Sequence, residues 1–110
     1  MNNNSQINLF ITLDEKKMPE KIEWEADDSQ SSGRKESKTM MLSFWDKKEN
    51  VTFSIDLWTK EMTVNEMQLH FYQMLIKMAD TLQRATNDSE AAGMIRRFSL
   101  DFAKHTGINS

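Results

Sequence analysis

The apolar residues of this chain change their spacing once, at Thr63, and that change constrains the fold more than any other feature. Before it, apolar positions recur every second residue: Ile7, Leu9, Ile11 and Leu13, then Ile22, Trp24 and Ala26, then Met40, Leu42 and Phe44, then Val51, Phe53, Ile55 and Leu57. Period two places alternate side chains on one face of a strand. After it, Val64, Met67, Phe71, Met74, Leu75, Met78 and Leu82 recur at three and four, as do Ala91, Ile95, Phe98 and Phe102. That spacing makes one stripe along a helix.

Local signals agree with the periods. Thr63-Val64-Asn65-Glu66 fits a capping box, with a Thr hydroxyl for an orphan amide and a Glu three residues on to reach back. Asn87 or Asp88 starts a second helix, and Gly107 suits the left-handed position that ends it. Asp46 to Asn50 is short enough to join strands three and four as an antiparallel hairpin. Four strands followed by two helices predict an α+β fold: a four-stranded antiparallel sheet with two antiparallel helices packed on one face, ββββαα. Residues 1–5 read as a disordered tail and 6–108 as one domain, the size expected of 110 residues. Residues 27–37, DDSQSSGRKES, read as a polar loop.

On this reading Ile55, Leu57, Phe71 and Met74 form a seam between sheet and helix, with Thr63 and Glu66 as its cap. The opposite face of the sheet then carries Phe10, Met41, Trp45 and Trp58. Several large apolar residues on one sheet face form either a protein-docking surface or the floor beneath loop 27–37 or the N-terminal tail. Leu69, Tyr72, Ile76 and Leu100 lie off the helical stripe and could touch a second copy, so a homo-oligomer is expected.

Catalytic chemistry finds little support. His70 sits at the edge of the apolar stripe and His105 in a last helical turn, with no HxxxH or HExxH spacing for a metal. Asp56 has no second residue to pair with, and Asp27-Asp28 belongs to a polar loop rather than a rigid site. Nucleophile elbows, phosphate-cradling glycine loops and dinucleotide fingerprints are missing from the sequence. The expectation is a protein that is not an enzyme, with no cofactor, no metal and no small-molecule substrate. The formal charge of −3 and the scattered basic pairs argue against nucleic acid. The absence of cysteine fits a reducing compartment. The opening MNNNSQINLFITL has no basic segment and too short an apolar run for a secretion signal, and no stretch is apolar enough to insert in a membrane. A cytoplasmic location follows as an expectation.

The segments ITLDEKKMPEKIEWEADD, MMLSFWDKKE, IDLWTKEMTVNEMQLHFYQML and MADTLQRATNDSEAA resemble the gliding motility protein GldC family of the Bacteroidota. The resemblance is collinear from about Ile7 to Gly107. It implies a small protein associated with the gliding machinery, which is tied to type IX secretion, and carries no catalytic residues. The element order is also similar to the export chaperone SecB, whose relatives hold unfolded clients on apolar grooves. That likeness implies a holdase as the alternative to an interaction protein.

Overall fold

The computed structural model describes residues 3–27 and 33–108. The chain divides at Met62/Thr63, where the apolar period changes, into two compact units, one of strands and one of helices. Residues 3–6 have no regular structure and lie exposed. The rest of the expected tail, and residues 28–32 of the polar loop, lie outside the described residues.

The sheet unit holds β1 (Ile7–Leu13), β2 (Pro19–Ala26), β3 (Lys35–Ser37), β4 (Thr39–Trp45) and β5 (Thr52–Trp58). One four-stranded sheet was expected; the strands instead form a three-stranded sheet in the order β1-β2-β3 and a separate β4–β5 hairpin, all antiparallel. Two local causes account for the difference. Lys35, Glu36 and Ser37, expected in a loop, pair with Trp24, Glu23 and Ile22 as a third strand. The chain then breaks at Lys38, whose carbonyl accepts both the amide (2.8 Å) and the hydroxyl (3.1 Å) of Thr59. Thr59 is buried there, its polar groups satisfied.

β2 is the central strand of its sheet, so Ile22 has Ile11 on one side and Ser37 on the other. Among the described residues it is the large side chain that is fully buried, at 1% exposure. Ile7, Leu9 and Ile11 share its face across the ladder from Ala26, Trp24 and Ile22.

Both hairpin turns are built alike. Asp14 Oδ1 accepts the amides of Lys16 (2.8 Å) and Met18 (3.0 Å), and Asp46 Oδ2 accepts those of Lys48 (3.0 Å) and Glu49 (2.7 Å). Each turn ends on a left-handed residue, Lys17 (φ 64°) in one and Asn50 (φ 55°) in the other. Asparagine tolerates that conformation better than lysine.

The helical unit is α1 (Val64–Thr86) and α2 (Ser89–Thr106). Thr63 Oγ1 accepts the Glu66 amide (3.1 Å) while Glu66 Oε1 accepts the Thr63 amide (3.0 Å), completing the capping box. Asp88 caps α2 through the Ala91 amide, and Gly107 closes it in a left-handed conformation. The two helices meet on a seam of one tyrosine and several small residues. Tyr72, Ala79, Ala92, Ser99 and Ala103 are buried, whereas Phe71, Met78, Met94 and Phe98 are exposed. The sequence stripe therefore marks a face beside the seam rather than the seam itself. Spacings of seven, Tyr72 to Ala79 and Ala92 to Ser99, carry the contact.

Candidate interaction surface

The β4–β5 register sorts side chains onto two faces. Met40 opposes Leu57, Leu42 opposes Ile55 and Phe44 opposes Phe53 on one; Thr39 opposes Trp58, Met41 opposes Asp56, Ser43 opposes Ser54 and Trp45 opposes Thr52 on the other. Alternation alone dictates this division. The first face is an unbroken apolar ladder. Leu57 is half-buried, but Phe44, Phe53 and Ile55 each keep just over half their surface in solvent. Ile55 was expected inside a sheet–helix core; in a two-stranded hairpin it has one neighbouring strand and stays open. Phe71, assigned to the same core, is 41% exposed, while Met74 is half-buried.

At its Met40–Leu42 end the ladder lines an apolar groove of about 270 Å³, whose other wall is Ile7, Leu9, Ile22 and Trp24. Ile22 forms the floor of the groove and the anchor of the sheet at once.

The four residues singled out on the other face do not form one surface. Phe10 belongs to the three-stranded sheet and lies under the Arg34 guanidinium, 3.6 Å from its ring centre, a cation–π contact that shields it. Met41 is half-buried opposite Asp56. Trp45 and Trp58 are exposed but stand at opposite ends of the hairpin. Six residue pairs at ~3.4 Å each put them roughly 20 Å apart. Ser43, Ser54 and Asp56 lie between them, with the Ser54 hydroxyl donating to Asp56 (3.4 Å). Sequence alternation identifies both faces; it does not reveal which of them is continuous.

Among the described residues no three His, Asp or Glu side chains converge to hold a metal ion. His70 is half-buried on α1 and His105 exposed on α2. Asp14 is held below its ordinary value, chiefly by the Met18 amide, then the Lys16 amide and the Lys60 ammonium 3.6 Å away. Those partners make it a turn-forming group.

A family model described as gliding motility-associated protein GldC-like matches residues 19–108, covering every element except β1. The chain belongs to this GldC-like family. Its members' association with gliding motility agrees with the resemblance carried by the IDLWTKEMTVNEM run. No curated protein and no solved structure matches the chain. No helix among the described residues is long and apolar enough to cross a membrane.

Proposed function

We propose that this chain is a non-enzymatic interaction protein of the gliding apparatus, acting in the cytoplasm by docking a protein partner on the apolar ladder of β4–β5. The observation that supports this reading is the open ladder itself. Phe44, Phe53 and Ile55 stand half exposed on one face of a hairpin that is otherwise fully formed. Contiguous apolar surface of this kind costs solvation unless something covers it. Aromatic residues in such positions are the usual energetic centres of protein interfaces.

The test is complementation in a gliding bacterium lacking this chain. Wild type should restore colony spreading, and the Phe53→Ser, Ile55→Ser double variant should not, while retaining the circular dichroism of wild type. Full restoration by the folded variant overturns the reading.

The groove below Met40 and Leu42 favours a second reading, a holdase for exported proteins, because a half-open apolar cleft accepts extended segments of many sequences. The two separate on one assay. A holdase suppresses aggregation of a denatured model protein; a partner-specific module leaves it unchanged.

A further inference from the structure

β3 is the least anchored strand of the sheet unit, yet it supplies the second neighbour of Ile22. It pairs three residues with β2, where β1 pairs seven. Lys35 and Glu36 are exposed and Ser37 is half-buried, so none of its side chains is buried. Cations hold its two faces instead. On one, the Arg34 guanidinium lies 3.6 Å from the Phe10 ring centre and 3.6 Å from Glu23 Oε1. On the other, the Lys35 ammonium stands 5.2 Å from the centre of the Trp24 ring. Such contacts are weak at exposed positions. One pairing opposes them. Glu36 lies across the ladder from Glu23, and like charges directly opposite destabilise a sheet.

The two ends of β3 differ. After Ser37, the Lys38 carbonyl accepts both the amide and the hydroxyl of Thr59, which pins the chain beside the end of β5. Before Arg34, Gly33 takes a left-handed φ of 92°. Among the described residues nothing beyond its chain neighbours comes within 4 Å of where a Cβ of Gly33 would stand. One end is fixed by hydrogen bonds, and the other stands in open space.

We propose that β3 is a releasable strap, which swings away from β2 about Lys38 and returns while β1–β2 and β4–β5 stay formed. The proposal is independent of the gliding reading. Short elements with no buried side chain and exposed hydrogen bonds open at a small fraction of the global unfolding free energy. The consequence reaches the apolar groove, because Ile22, Trp24 and Ser37 all line it. With β3 in place the groove holds about 270 Å³, below the ~300–1,000 Å³ of ordinary ligand sites. Release removes the Ser37 wall, bares one edge of β2 and uncovers the flank of Ile22. β3 thus gates the groove, and the Arg34 and Lys35 contacts set how often the gate opens.

Amide hydrogen exchange on the full chain, resolved by NMR and expressed as protection factors, tests this. The amides hydrogen-bonded between β3 and β2 should be less protected than those between β1 and β2, on the order of a hundredfold or more. An Arg34→Gln, Lys35→Gln variant removes both cations and should lower β3 protection about tenfold, with β1 unchanged. Glu36→Gln removes the like-charge pair and should raise β3 protection roughly twofold. Equal protection of the two ladders overturns the proposal, since β3 would then open only with the whole sheet. So does a folded double variant with unchanged β3 protection, or a Glu36→Gln chain in which it falls. Should the double variant lose its fold, the wild-type comparison and Glu36→Gln still decide.

Discussion

The two hairpins of the sheet unit share one construction and meet opposite fates. β1–β2 and β4–β5 each run antiparallel through seven paired positions, and each turns on an aspartate that gathers two amides in a turn containing one left-handed residue. Yet β2 contains a fully buried isoleucine, whereas no residue of β4 or β5 is buried. The difference is one strand. β3 gives β2 a second neighbour, and the middle of a three-stranded sheet can bury a side chain that a two-stranded ribbon cannot. The first hairpin is thus scaffold, and the second presents its apolar face.

Substitutions can break or sharpen this contrast. The largest effect is expected at Ile22, where Ile22→Ala should lower stability in a denaturant melt by about 3 kcal/mol, through lost transfer energy and the cavity left behind. The turns come next. Asp14→Ala and Asp46→Ala should each cost clearly less than Ile22→Ala, because each strands two amides that solvent can partly satisfy. Near-equal losses would show that the hairpins differ only in burial; a much larger loss at one turn would show that they differ in construction. Phe53→Ala should cost less than about 1 kcal/mol, since half of the ring is already wet and only part of the usual burial energy is at stake. A loss as large as that at Ile22 would mean the ladder is covered.

The smallest effect is electrostatic. The folded-state pKa of Asp14 lies below its ordinary 3.8, so its carboxylate contributes stability that is present above that value and lost as pH falls through the depressed one. Wild type should therefore lose slightly more stability than Asp14→Asn on acidification below about pH 4, with exposure keeping the difference small. Equal acid sensitivity of the two proteins would remove Asp14 from the turn's energetics.

What was legible in the sequence followed the strength of each local signal. Alternation located β1, β2, β4 and β5, and the capping box at Thr63 fixed the start of α1. β3 was not legible, because Lys35, Glu36 and Ser37 carry no apolar pattern, and the contact of the Lys35 ammonium with the Trp24 ring, 5.2 Å from its centre, follows from a register that spacing does not give. The division into two sheets was hidden for a similar reason, since it turns on the carbonyl of Lys38 meeting Thr59. Large residues drew attention away from the helix seam. Phe71, Met78 and Phe98 dominate the stripe, but Ala79, Ala92 and Ser99 let the helices approach. Phe10 alternates with Leu9 and Ile11 in the sequence, but the guanidinium above it comes from Arg34, beyond a loop that sequence spacing cannot fold.

Thiol labelling tests the central claim, an open apolar ladder on β4–β5, most directly, because the chain has no cysteine of its own. Single cysteines would be placed at Ile55 and at Ile22 and their reaction with a small maleimide timed. The Ile55→Cys chain should react almost as fast as when denatured, and the Ile22→Cys chain far more slowly. Equal protection at both positions would contradict the account.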